Sequence, residues 1–160
     1  MSTLHTYKSK IIWTGNTGTE TTDYKSYEHS HIISIENKVD IQATSDTAFR
    51  GDKTKHNPED LFLSSLSSCH MLWYLHLCSA IGINVVSFKD NAVGIMEEFS
   101  NGSGKFSEVT LYPIVIVTDT SMIEKANALH HEANKMCFIA NSCNFEVKHK
   151  PICQTQIEQK

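Results

Sequence analysis

The hydrophobic and polar positions of this chain follow two different periods. From Tyr7 to Trp13, Tyr24 to Ile35 and Lys38 to Ala43, residues rich in Ile, Val, Tyr and Thr alternate in part with polar ones, as half-buried strands require. The breaks at Asn16-Thr17-Gly18 and Asn37-Lys38 offer residues that tolerate left-handed backbone, so the three runs predict an antiparallel meander. A helical signal opens at Asn57-Pro58-Glu59-Asp60: Asn57 can cap, Pro58 suits the first helical position, and two acidic residues oppose the helix dipole. The helix continues through Leu61 to Ile81 and stops at Gly82. Its residues are apolar or small almost all round, which predicts burial on most sides.

Strand character returns at Asn84 to Ala92, Gly94 to Phe99 and Phe106 to Thr118, with Asn101-Gly102-Ser103-Gly104 as a hairpin turn between the last two. Ser121 and Glu124 have capping-box spacing. Behind them Met122, Ala126, Leu129, Ala133, Met136 and Ala140 recur at helical spacing, predicting an amphipathic helix that runs to about Asn141. Asn144 to Gln156 reads as a last strand, with Pro151 marking an edge position or the strand end. Strand runs with two inserted helices describe an α+β fold. Without repeats, low-complexity segments or a linker, the 160 residues read as a single domain, 1–160.

Composition narrows the function. The chain is 40% apolar and 20% charged, an ordinary globular balance, and its net charge of −4 comes with no basic stripe, which argues against nucleic acid as a partner. No segment has the length and apolarity of a secretory leader or a membrane span, so the expected location is the cytoplasm, with no membrane partner. There structural disulfides are disfavoured, and any bridging pair among Cys69, Cys78, Cys137, Cys143 and Cys153 is expected to be redox-active.

Cys69 falls in the middle of the long helix, where a thiol is ordinarily a small hydrophobe that burial keeps inert. Cys137 follows Met136 on the edge of the second helix's apolar stripe, so both helices can offer a thiol to one core. The helix dipole fades within about a turn and cannot activate Cys69. A cation is needed, and Arg50, the one arginine, is a candidate, with a surface salt bridge as its alternative role. Glu59 could orient a guanidinium, yet on one straight helix it stands ~15 Å from Cys69. A metal reading is weaker: His130 with Cys137, and His76 with Cys69, lie two turns apart, ~10 Å on one helix, too far to share an ion. His130 and His131 read instead as solvated or cap-side residues. Cys78 reads as core, as do Met71, Trp73 and Tyr74, some of which could line an apolar pocket. Gly102-x-Gly104 lacks the rest of a nucleotide-binding fingerprint.

Asn57-Pro58-Glu59-Asp60-Leu61 followed by small residues to Ser68-Cys69, and then Cys137-Phe138-Ile139-Ala140-Asn141, resemble the two cysteine segments of the OsmC/Ohr family (osmotically inducible and organic hydroperoxide resistance proteins). The resemblance extends over essentially the whole chain. It implies an OsmC-like fold, with antiparallel sheets, a long buried central helix and a second helix, in an intertwined homodimer with sites at the subunit interface. It also implies that Cys69 is the peroxidatic cysteine, Cys137 the resolving one, Glu59 the carboxylate that orients the arginine, and Arg50 the thiolate-stabilising cation. His70 departs from the aromatic residue frequent after the first cysteine, Phe138 stands where many members have Pro, and Arg50 aligns only with a one-residue shift.

The resulting expectation is a cofactor-free thiol peroxidase that reduces an organic hydroperoxide. Cys69 would pass through a sulfenic acid to a Cys69–Cys137 disulfide, which an external dithiol, lipoyl or a small thiol, would reduce. The rivals are a binding or redox-sensing stress protein that holds an apolar ligand on the same fold, and a zinc protein.

Overall fold

The computed structural model describes residues 2–156; Met1 and 157–160, at the two ends of the expected domain, lie outside the described residues. The residues group into two compact units, 1–62 and 63–160.

In the first unit, β1 (Lys10–Trp13), β2 (His31–Ser34) and β3 (Ile41–Ala43) form the expected antiparallel meander, with Trp13 opposite His31 and Ile33 opposite Ile41. The strands are shorter than their sequence patterns. Residues 24–27 form a turn and bend because local side chains compete for the backbone: Asp23 Oδ1 accepts from the Lys25 amide at 2.6 Å, and the Thr17 and Thr19 hydroxyls both donate to the Ser26 carbonyl. A 3₁₀ turn, Thr47–Phe49, is capped by Asp46 and leads into Arg50 at φ 65°, a left-handed residue. Gly51 follows because the Ser45 carbonyl oxygen lies 1.6 Å from where a Cβ would sit.

Helix α1 (Pro58–Ala80) starts where expected. Its cap is reciprocal: Asn57 Oδ1 accepts from the Asp60 amide at 2.7 Å and Asp60 Oδ2 accepts from the Asn57 amide at 3.3 Å. It ends as Gly82 turns to φ 76° and the Ile83 amide reaches back to the Cys78 carbonyl. Burial on most sides is not observed. One stripe is buried, Leu66, His70, Tyr74 and Cys78, whereas Leu72 is 63% exposed.

The second unit holds two three-stranded sheets. One is β4 (Val85–Asp90), β7 (Pro113–Val117) and β9 (Ile152–Thr155); the other is β5 (Val93–Glu98), β6 (Gly104–Leu111) and β8 (Val147–His149). The β4–β7 and β5–β6 pairs are antiparallel, but β8 and β9 run parallel to β6 and β7, so these sheets are mixed rather than purely antiparallel. The segment read as one strand from Phe106 to Thr118 is divided at Tyr112, whose amide donates to Asp90 Oδ1 at 2.7 Å and lets the chain change sheets. Pro151, which has no amide to offer a ladder, divides the last strand in the same way.

The second helix also differs from its pattern. Asp119, rather than Ser121, supplies the cap, accepting from the Ser121 amide at 2.8 Å ahead of a 3₁₀ turn, Thr120–Met122. Helix α2 then runs over Ile123–Met136 and stops well before Asn141. The stop is made by side chains: Asn141 Nδ2 donates to the Lys135 carbonyl at 2.9 Å, and Cys137, in extended conformation, accepts the Ala140 amide on Sγ at 3.4 Å. Tyr74 and Cys78 of α1, Val115 and Val117 of β7, and Ala126 and Ala133 of α2 share one core with Ile83.

Candidate active site

Two buried stripes build the site. On α1, Cys69 stands beside the Leu66-His70-Tyr74-Cys78 stripe; on α2 the buried positions are Ala126, His130 and Ala133, continued by Cys137 just past the helix end. The sequence pattern placed Ala126 and Ala133 on the buried stripe of α2, and Met122 and Leu129 pack against the same core, but it took the exposed Met136 for a buried position and left out His130. His130, read as solvated or cap-side, is fully buried, while His131 is exposed. The signal was present: Ala126, His130, Ala133 and Cys137 are spaced by four, three and four residues, and the small alanines let a neighbouring helix approach.

The structure makes Cys69 and Cys137 neighbours, close enough for each thiol to feel the other. Cys137 is 1% exposed and Cys69 half-buried, both as free thiols. Burial, and then the neighbouring Cys69 thiol, push the Cys137 thiol up to about 11, with the Ala140 and Ile139 amides acting in the opposite direction. Cys137 therefore keeps its proton at pH 7. Beside them Trp73, one turn beyond Cys69, meets Phe138 edge to face at 5.7 Å. Leu72, Trp73 and His76 line a shallow apolar cavity of about 270 Å³.

Behind the thiols lies a histidine cluster of which the sequence reading recognised little. His70 Nε2 and His130 Nδ1 are 2.9 Å apart and both rings are buried. Their planes differ by 11° and their centroids by 5.2 Å, which is the N···N distance extended by the two ring radii; the rings thus lie edge to edge in one plane. His130 stacks on Tyr74 at 4.0 Å, and His149 of β8 is 5.7 Å from His70 and 6.3 Å from His130. Burial, and then the neighbouring imidazoles, hold His70 down to about 4 and His130 down to about 3, so the pair is neutral at pH 7. Among the described residues no group of three or more His, Cys, Asp or Glu is arranged to hold a metal ion.

Arg50 and Glu59 both fall in the first unit and form no ion pair with each other. Arg50 is exposed; its guanidinium donates to the Tyr24 and Lys25 carbonyls and lies over the Tyr24 ring, 5.3 Å from the centroid. Glu59 Oε2 is buried without a hydrogen-bond partner among the described residues. Cys143 donates to the Ile139 carbonyl at 3.3 Å, and Cys78 belongs to the core as expected.

The sequence profile of the OsmC-like proteins matches residues 51–151. The chain belongs to the OsmC-like family. Among solved structures, an OsmC-like protein of unknown function from Vibrio cholerae is 30% identical, with a TM-score of 0.84 over 93% of this chain and 100% of that one. An organic hydroperoxide resistance protein from Elizabethkingia anophelis, at 17% identity and TM-score 0.69, covers 98% of this OsmC-like chain and 100% of its own length. One from Bacillus subtilis, at 21% identity and TM-score 0.63, covers 91% and 98%. These two share the OsmC fold, including the α+β arrangement of two helices with antiparallel and mixed sheets. No curated protein sequence matches the chain.

Proposed function

We propose that this OsmC-family protein is a thiol peroxidase that reduces organic hydroperoxides in oxidative stress defence. The observation that carries the reading is the pair of neighbouring free thiols, Cys69 and Cys137, offered by the two helices. In the first step the Cys69 sulfur attacks the outer peroxide oxygen, the O–O bond breaks, and the departing alkoxide takes a proton to become an alcohol. Cys69 is left as a sulfenic acid. Cys137 sulfur then attacks the Cys69 sulfur; the S–O bond breaks, and the hydroxyl leaves with the Cys137 proton as water. Two thiols have been oxidised to a disulfide and one peroxide reduced. An external dithiol, lipoyl or a small thiol, restores the pair by exchange.

The apolar collar of Leu72, Trp73 and Phe138 supports an alkyl-bearing substrate over hydrogen peroxide, since it stabilises a hydrocarbon tail and offers little to water-like molecules. Glu59 retains its expected role in this reading because its unpartnered oxygen is a ready acceptor for a guanidinium. Arg50 would serve as that cation only on leaving the Tyr24 and Lys25 carbonyls. A homodimer is supported by β1, all four of whose residues are exposed, Ile11, Ile12 and Trp13 among them. The profile match, which begins at residue 51 in the first unit and runs to 151 in the second, supports a single OsmC-like domain. No described helix is long and apolar enough to cross a membrane.

The test is stopped-flow consumption of cumene hydroperoxide and of hydrogen peroxide under excess dithiol. Wild type should consume the organic peroxide faster. Cys69→Ser should be inactive and Cys137→Ser should stall as a sulfenic or overoxidised species. A rival reading, a slow redox sensor or ligand binder, takes support from the raised Cys137 thiol, and equal background rates in all three proteins would favour it.

A further inference from the structure

The imidazole pair behind the dithiol is an expensive feature that the peroxidase reading leaves unused. His70 Nδ1, His130 Nε2 and His149 Nδ1 are all buried without hydrogen-bond partners among the described residues. An apolar pair of similar volume would fill the same space without stranding polar atoms, at a saving of roughly 1–3 kcal/mol per group. What the imidazoles supply and an apolar pair would not is direction: one in-plane bond joins an atom of α1 to an atom of α2.

That bond stands next to the thiols in a specific way. His70 follows Cys69 directly, so the two side chains leave α1 about 100° apart and share its rotational setting rigidly. A roll of α1 that broke the bond would carry Cys69 away from Cys137. On the other side, His130 lies seven residues before Cys137, about 10 Å along α2, so the bond also fixes how far α2 slides past α1. Stacking of His130 on Tyr74 at 4.0 Å holds its ring in the plane the bond requires.

We propose that His70 and His130 are positioning residues for the Cys69–Cys137 pair, their imidazole–imidazole bond setting the rotation and slide of α1 against α2 at which the two sulfurs meet. Neither histidine touches peroxide in this account. The proposal rests on the dithiol reading for its purpose, but its geometry concerns disulfide closure alone.

The test exploits which nitrogen each ring uses. An asparagine amide reaches the place of an imidazole Nδ1 and a glutamine amide that of Nε2. Because His130 bonds through Nδ1 and His70 through Nε2, His130→Asn and His70→Gln should preserve the bond, and His130→Gln and His70→Asn should lose it. Each full-length variant is equilibrated with oxidised and reduced dithiothreitol, and the Cys69–Cys137 disulfide is quantified by mass spectrometry. Cumene hydroperoxide is then added to the reduced protein and the Cys69 sulfenic acid trapped with dimedone.

The bond-losing variants should show about a tenfold or larger fall in the dithiothreitol equilibrium constant and in the rate of sulfenic acid resolution, since misplacement by about 1 Å costs up to ~100-fold. The bond-keeping variants should stay within about threefold of wild type, and the rate of sulfenic acid formation should be similar in all. All four substitutions are polar and of similar size, so a general loss of folding would strike both members of each pair and abolish the crossed pattern. Pairs that behave alike overturn the proposal. The dithiothreitol measurement needs no peroxide, so a wild type that forms the disulfide yet ignores cumene hydroperoxide would refute the peroxidase reading while leaving this one standing.

Discussion

Acidification should destabilise this protein through His70 and His130 well before its carboxylates titrate. Both are held far below the usual 6.5, to about 4 and about 3, so between those values and pH 6.5 the unfolded chain binds protons that the folded chain refuses. Stability is full above pH 6.5, declines as pH falls toward about 4 for His70 and about 3 for His130, and levels below. At pH 5, one and a half pH units below the unfolded value at ~1.4 kcal/mol each gives roughly 2 kcal/mol per histidine and about 4 for the pair. Against a typical domain stability of about 5–15 kcal/mol that loss is large. His149, lowered by burial and His131 and opposed by Glu146, adds to the same slope, and Tyr74 is the stacking neighbour that keeps water away. The assay is urea denaturation followed by circular dichroism from pH 7.5 to 5, in wild type and in a protein carrying both His70→Leu and His130→Leu. Wild-type midpoints should fall steadily below pH 6.5, and the double variant should lose most of that slope. Equal wild-type midpoints at pH 7 and pH 5, or an undiminished slope in the double variant, would refute the reasoning.

Other outcomes follow from single contacts. The Tyr74 hydroxyl is buried without a hydrogen-bond partner among the described residues, beside the weakly polar Cys78 thiol, so Tyr74→Phe should change stability by less than about 1 kcal/mol in either direction in a urea titration. Gly51→Ala places a methyl against the Ser45 carbonyl, which no rotamer change can relieve, and should cost about 2–3 kcal/mol in the same assay. Asp90 accepts from Ser67 Oγ at 2.5 Å and from the Tyr112 amide at 2.7 Å; Asp90→Ala strands both and should lower stability by about 2 kcal/mol. Asn141→Ala frees the Lys135 carbonyl at the end of α2, and in a Cys69→Ser background the alkylation rate of Cys137 should rise about fivefold, the factor for about 1 kcal/mol of local opening.

What was legible in the sequence was whatever a local rule decides. Asn57-Pro58-Glu59-Asp60 announced the start of α1 because capping is settled within four residues, and the period-two runs announced the meander. What escaped was decided by partners distant in sequence. No local pattern says that Tyr112 will give its amide to Asp90 and divide a strand, or that β8 and β9 will join their sheets in parallel. His130 was misplaced because the stripe drawn through Met122, Ala126, Leu129, Ala133, Met136 and Ala140 took Leu129 rather than its neighbour as the buried position between the alanines. The true stripe carries a histidine, which hydrophobicity scores as surface.

The two cysteines differ in how they are held, and the difference suits the successive roles proposed for them. Cys69 sits mid-helix, where its backbone is fixed on both sides by the α1 ladder, so the sulfur that must meet a substrate in one orientation has little freedom. Cys137 lies just beyond the last turn of α2, with extended backbone, and its amide bond to the Asn134 carbonyl is long at 3.3 Å. Helix ends open at far lower cost than helix centres. In the proposed cycle the sulfur that moves during disulfide closure is thus on the element that opens more readily, while the proposed role of the imidazole bond two turns back is to keep the rest of α2 in place. Reversing the two positions would ask the rigid helix to bend at every turnover.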